Sequence, residues 1–256
     1  MTRVLVTGVS YGGIGEAIAR RLAADAERRG QEPRITISAT TDSTEQKILA
    51  AGLEEDHGAD VLAFNGDLTD SAFPADLVEA AAEFGGGLDV VVSNAGRTQR
   101  EPLTTLSLDG WFHAFSLHAT AAFLLARAAY PHLAASRGSF IAIGSVSGTV
   151  PNTGRGAYPA AKAALIALCQ CLAVEWGPSG VRVNVVSPGL ISTASAPKPG
   201  AGRVAPLRRA GEPWDIAAVV AFLASRDAGF ITGQNIVADG GLIGAGLDLA
   251  GKYRGG

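Results

Sequence analysis

Short apolar runs separated by longer helix-patterned segments are the feature that most constrains this chain. The runs Arg3–Thr7, Arg34–Thr40, Asp60–Phe64, Leu88–Val92, Ser139–Ile143, Val181–Val186 and Asn235–Val237 read as strands. Between them lie segments such as the one carrying Ile14, Ile18 and Leu22 on one helical face. Strands that are apolar throughout must be covered on both faces, and helical crossovers supply that cover. The pattern predicts an α/β fold, a doubly wound parallel sheet of about seven strands. No Pro/Ser-rich or charged linker divides residues 1–256, so one domain is expected.

In such sheets ligands bind beyond the carboxyl ends of the strands. The loops beginning at Gly8, Asp67, Asn94, Ser145 and Pro188 all fall on that edge. The first, Gly8-Val9-Ser10-Tyr11-Gly12-Gly13-Ile14-Gly15, lies between a strand and a helix. Glycines there let backbone N–H groups and the helix N-terminus approach a phosphate closely. Later, Tyr158 and Lys162 stand four apart at the start of a helix whose first turn tolerates Pro159. A phenol ionises near pH ~10 in water. A lysine ammonium one turn away would favour the phenolate, and Ser145, at the end of the preceding strand, would orient a carbonyl. This is equipment for moving a proton to or from an oxygen.

Composition narrows the partners. A net charge of −3 gives no basic footprint for nucleic acid or an anionic membrane. No apolar run approaches the roughly 20 residues of a spanning helix, and Met1 to Gly8 lacks a signal-peptide layout. Cys169 and Cys171 form neither a metal nor a redox pattern. A cytoplasmic protein without a metal is expected.

Taken in order, these motifs resemble the short-chain dehydrogenase/reductase family over nearly the whole chain. They are Thr7-Gly8 with Gly12, Gly13 and Gly15; Asp67-Leu68; Asn94-Ala95-Gly96; Ser145, Tyr158 and Lys162; Pro188-Gly189 with Thr193; and Asp239-Gly240-Gly241. The resemblance is nearest to 3-oxoacyl-thioester reductases. It implies a Rossmann-type fold, usually a homotetramer, passing a hydride between a nicotinamide cofactor and a carbonyl or secondary alcohol. By carry-over Tyr158 is the general acid, Ser145 binds the carbonyl oxygen, and Lys162 lowers the tyrosine pKa and holds the nicotinamide ribose. Gly8, Ser10, Gly12, Gly13, Ile14 and Gly15 would border the phosphates, and Asp67 and Leu68 the adenine. Asn94, Ala95 and Gly96 would line the cleft, with Pro188, Gly189, Ile191 and Thr193 near the carboxamide. Residues 190–213 match the family's mobile substrate lid.

Two departures stand out. The glycine loop carries one residue too many, leaving open whether Gly12 or Gly13 takes the middle role. The helix Ser107–Ala135 lacks the family's asparagine, which positions a water for proton relay to the lysine, and the matching residue is His118. Either neutral imidazole replaces the amide, predicting an ionisation near ~6.5 in the pH–rate profile, or His118 merely packs there.

The end of the second strand, Ser38-Ala39-Thr40, is uncharged, and Asp42 lies further along. A small hydroxyl residue such as Thr40 resembles NADP(H)-using members; Tyr11, where many of those carry a basic residue, keeps NAD(H) open. Lys198, Arg203, Arg208 and Arg209 either meet a phosphopantetheine, coenzyme A or acidic carrier, or form an ordinary solvated stretch. The substrate expected is a small molecule or an acyl thioester. The alternative function is a nucleotide-binding sensor that keeps the fold with little turnover.

Overall fold

The computed structural model describes residues 2–40, 44–196 and 205–245. Seven parallel strands form one sheet in the order β3-β2-β1-β4-β5-β6-β7. They are β1 (Thr2–Thr7), β2 (Pro33–Ser38), β3 (Asp60–Ala63), β4 (Val90–Ser93), β5 (Ser139–Ile143), β6 (Arg182–Pro188) and β7 (Asn235–Ala238). Each strand predicted from the apolar runs is present, with ends moved by a few residues. Strand β2 stops at Ser38, so Thr40 lies in the loop beyond it.

The helices are α1 (Ile14–Arg28), α2 (Thr44–His57), α3 (Phe73–Gly85), α4 (Leu108–Phe115), α5 (Ala121–Ser136), α6 (Tyr158–Trp176) and α7 (Pro213–Ala224). Alternate residues of one strand serve opposite layers. Val4 and Val6 of β1, with Ile141 and Ile143 of β5, pack against Ile18, Leu22, Leu53, Ile216 and Val220. Their neighbours Leu5, Phe140 and Ala142 face the other way, against Leu77, Leu125, Leu165 and Trp176. Burial on both faces is why these strands carry no polar alternation.

The predicted helix Ser107–Ala135 is one helical run with an interruption. A π-helical turn, Ser116–Thr120, joins α4 to α5 and contains His118. Such turns insert an extra residue and often occur at functional sites.

Helix α6 corrects one sequence expectation. With the turn that follows, the helical run Tyr158–Ser179 is 22 residues long and apolar enough to cross a membrane by length and composition. Packing accounts for part of that composition: 39% of the apolar window is buried, and Ala161, Lys162, Leu165, Cys169, Leu172 and Trp176 are among the buried residues of the helix. One face of it lies on the sheet, and the residues of that face are small or apolar apart from Lys162.

Strand order reverses between β1 and β4, so the crevice of the sheet opens at their carboxyl ends.

Candidate active site

The crevice is built first from Thr7, Gly8 and Asn94. Asn94 Nδ2 donates to the carbonyls of Thr7 and Gly8 at 3.0 and 2.9 Å. The amides of Asn94 and Ala95 donate to Thr7 Oγ1 at 3.0 and 3.2 Å. These bonds tie β1 to β4 where the sheet would otherwise splay, and they place Gly96 beside α6.

The glycine loop resolves its extra residue in a definite way. Gly12 takes a left-handed conformation, with φ of 61°, and its carbonyl accepts from the Ala194 amide at 3.3 Å. Gly13 is extended and starts α1, and no side chain caps that helix. The α1 N-terminus therefore presents uncapped N–H groups inside a glycine-walled loop, a fit for a dinucleotide phosphate. The extra residue bulges toward Ala194 and leaves the helix start without a side-chain cap.

The remaining cofactor candidates lie along the same edge. Asp67 accepts from the Thr69 amide and hydroxyl, both at 2.8 Å, and those bonds hold its carboxyl below the usual range. Leu68 is buried against α3 residues, and Thr40 is exposed. Pro188 ends β6, the Gly189 amide donates to Ala238, Ile191 is buried in a bridge with Gly211, and Thr193 bridges Ala196. Asp42, Lys198 and Arg203 lie outside the described residues, as do all of residues 197–204 within the expected lid segment 190–213.

The proton-handling group converges at the end of β5. Ser145 is buried in an extended conformation, and its Oγ accepts from the Ser147 amide at 3.1 Å. Tyr158 and Lys162 enter from the first turns of α6. Lys162 is 4% exposed and donates from Nζ to the Ile143 carbonyl at 2.7 Å. Burial pushes its ammonium down to about 8.

Tyr158 differs from the sequence expectation. Its phenol is held above its ordinary pKa, because burial outweighs the opposing effects of the Ser145 hydroxyl and the Arg155 charge. The lysine Nζ lies 5.9 Å from the tyrosine ring centroid. Arg155, three residues before the tyrosine, is the cation that acts on the phenol, and it carries no motif that sequence reasoning could have used.

His118 carried two expectations, a relay imidazole that titrates near 6.5 or a ring that merely packs. It is 3% exposed, with Nε2 3.0 Å from the Arg97 carbonyl and its ring edge-on to Tyr158 at 5.0 Å. Burial, reinforced by the Lys162 charge, pushes its pKa to about 3. The imidazole is therefore neutral at working pH and adds no ionisation near 6.5.

A family profile described as enoyl-(acyl carrier protein) reductase matches residues 8–243. The chain is 35% identical over 245 residues to the 3-oxoacyl-(acyl-carrier-protein) reductase of Haemophilus influenzae, covering 93% of this chain and 96% of that one. This chain belongs to the short-chain dehydrogenase/reductase family. The human (3R)-3-hydroxyacyl-CoA dehydrogenase is 39% identical over 191 residues, covering 68% of this chain and 73% of that protein. Among solved structures, a short-chain dehydrogenase of Burkholderia cenocepacia in complex with NADP superposes with a TM-score of 0.87. It is 35% identical and covers 94% of this chain and 98% of its own. Acetoin dehydrogenase of Enterobacter cloacae superposes with a TM-score of 0.85 at 31% identity, covering 95% and 96%.

As a member of this family the chain is an NAD(P)-dependent oxidoreductase of hydroxyl and keto groups. Among the described residues no three His, Cys, Asp or Glu side chains gather as a metal site.

Proposed function

We propose that this enzyme is an NADPH-dependent ketoreductase that reduces a 3-oxoacyl thioester or similar ketone to the secondary alcohol. The observation that carries the reading is the convergence of Ser145, Tyr158 and the buried Lys162 on the same carboxyl edge of the sheet as the uncapped start of α1. The reduced nicotinamide supplies the hydride when bound. Ser145 Oγ donates to the carbonyl oxygen, and the Tyr158 hydroxyl delivers the proton to that same oxygen as negative charge develops there. A phenol whose pKa is raised by burial is protonated, as a proton donor must be at the start of reduction. Lys162, anchored on Ile143, would keep further N–H donors for the cofactor ribose and stabilise the phenolate left after transfer. The uncapped α1 start and its glycines would hold the phosphates, with Asn94, Gly96 and Thr193 as further cofactor contacts.

The substrate class draws support from charge on the loops next to Tyr158 and His118. Arg97, Arg100 and Arg155 stand on two adjoining loops, and no ion pair of theirs occurs among the described residues. An α-carbon substituent on Gly156 would lie 3.1 Å from the Glu101 carbonyl, so these loops touch. Unpaired guanidinium groups suit a phosphate-bearing thioester, and two relatives act on 3-oxoacyl or 3-hydroxyacyl thioesters by name. NADP(H) over NAD(H) rests on the uncharged Ser38-Ala39-Thr40 segment and on the NADP-bound neighbour. One domain with a lid over 190–213, in a homotetramer, completes the reading, supported by the outward apolar Phe112, Val174 and Phe230. Two free cysteines fit a reducing cytoplasm.

The test is oxidation of NADPH and of NADH with acetoacetyl-coenzyme A and with acetoin, beside Tyr158→Phe. We expect NADPH and the thioester to give the higher kcat/KM, with Tyr158→Phe losing about 10²–10⁴-fold in kcat. Preference for NADH or for acetoin would overturn the corresponding half of the proposal. Dinucleotide binding without turnover on any ketone would instead favour the sensor.

A further inference from the structure

We propose that Glu16 is the positioning residue that sets the lengthened glycine loop for the dinucleotide phosphates, by fixing which way the Tyr11–Gly12 peptide faces. The inference rests on the reading of the α1 start as the phosphate site given above. It explains how a loop one residue too long keeps a defined shape.

The loop closes as a turn over Ser10-Tyr11-Gly12-Gly13. The Gly13 amide donates to the Ser10 carbonyl at 3.0 Å. Gly12, third in the turn, has φ of 61°, while Tyr11, second, has no positive φ. Turns with a left-handed and a right-handed third residue differ chiefly by rotation of the central peptide, and a glycine there permits both. One orientation is held, because the Gly12 amide donates to Glu16 Oε2 at 2.7 Å. A bond that short to a carboxylate is charge-assisted and among the stronger kinds.

Glu16 is the third residue of α1. A carboxylate at that position ordinarily reaches back to the amide of the residue just before the helix. That residue, Gly13, gives its amide to Ser10, and Glu16 reaches one residue further, to Gly12. The added residue thus displaces the usual contact without abolishing it. The N–H and C=O of a trans peptide point opposite ways, so the Tyr11 carbonyl faces away from the first turn of α1. Rotation of that peptide would bring the carbonyl against Glu16 and the helix start, where an oxygen repels a phosphate.

The glutamate is itself fixed from behind. Its Oε1 accepts from Arg20 Nε at 2.9 Å, and Arg20 Nη1 donates to Asp56 of α2 at 3.3 Å. The Glu16 side chain is only 13% exposed, and the Arg20 guanidinium offsets its charge beside the phosphate site. On its other side Gly12 accepts from the Ala194 amide at 3.3 Å. A loop held in this way needs no ordering when the dinucleotide arrives, which favours binding.

Titration calorimetry of NADPH against wild type, Glu16→Gln and Glu16→Ala separates this role from a plain ion pair. Glutamine keeps an acceptor for Gly12 and gives up the charge pair with Arg20, whereas alanine gives up both. We expect Glu16→Gln to hold the Kd for NADPH within about threefold of wild type and Glu16→Ala to raise it about tenfold or more. KM for NADPH should follow Kd in both, with kcat at saturating NADPH and acetoacetyl-coenzyme A within about twofold. An unchanged Kd in Glu16→Ala, equal losses in the two variants, or a fall in kcat in place of the rise in KM would overturn the proposal. Hydrogen exchange followed by NMR on the ligand-free protein gives a second reading. The Gly12 amide should be protected in wild type and in Glu16→Gln, and exchange about tenfold faster or more in Glu16→Ala. A wild-type Gly12 amide that exchanges at the rate of an unprotected loop would overturn the proposal whether or not the alanine variant folds. Neither calorimetry nor exchange needs a ketone, so failure of the proposed ketone reduction leaves both readings standing. A wild type that binds neither NADPH nor NADH would overturn the phosphate reading and this proposal with it.

Discussion

His118 should make folding itself sensitive to acid. Its pKa is 6.5 when free and about 3 in the folded protein. Between those values the unfolded chain binds a proton that the folded chain refuses. Stability therefore rises with pH from about 3 to 6.5, is fully present above 6.5, and is lost as pH falls. Each pKa unit corresponds to about 1.4 kcal/mol. Lowering the pH from about 7.5 to about 4 should thus cost roughly 3 kcal/mol through this side chain alone. The side chain is nearly inaccessible to solvent, so screening does little to reduce that figure. The assay is urea unfolding of wild type and His118→Asn at both pH values and at equal protein concentration. Carboxylates and the other histidines contribute to both proteins and cancel in the difference. The variant should lose roughly 3 kcal/mol less than wild type over that range. Equal pH dependence in the two proteins, or an imidazole titrating near 6.5 by NMR, would refute the argument from burial.

Two further outcomes follow from packing and backbone geometry. Phe140→Ala, at the fully buried centre of β5, should cost about 3–5 kcal/mol in urea unfolding; a loss under about 1 kcal/mol would mean the site collapses around the smaller side chain. Gly12→Ala puts a side chain at φ of 61°, with its Cβ 2.5 Å from that of Ala194. It should cost about 1–2 kcal/mol and weaken NADPH binding measured by titration calorimetry, and unchanged values would show that the bulged loop is slack.

The relation of sequence to structure is clearest at three places. The sheet was legible because buried parallel strands must be apolar on both faces, and a run such as Ser139–Ile143 has no other comfortable setting in water. The order Ser145, Tyr158, Lys162 was legible because local spacing on a strand end and a helix turn places side chains without reference to distant residues. The π-helical turn at Ser116–Thr120 was not legible. An extra residue in a helical turn is stabilised by what packs around it, and Gly96, Arg97 and Tyr158 come from other parts of the chain.

The same division holds for charge. Sequence alone determined the residues present: a tyrosine, a lysine one helical turn away, a serine just past the preceding strand, and a histidine in place of an amide. Only the tertiary structure decided their protonation, because pKa depends on burial and on neighbours brought in from other elements. It put Lys162 at about 8 and His118 at about 3, and it set Arg155, unmarked in the sequence, against the Tyr158 phenol. Desolvation is a property of the closed fold, and no spacing of residues along a chain records it.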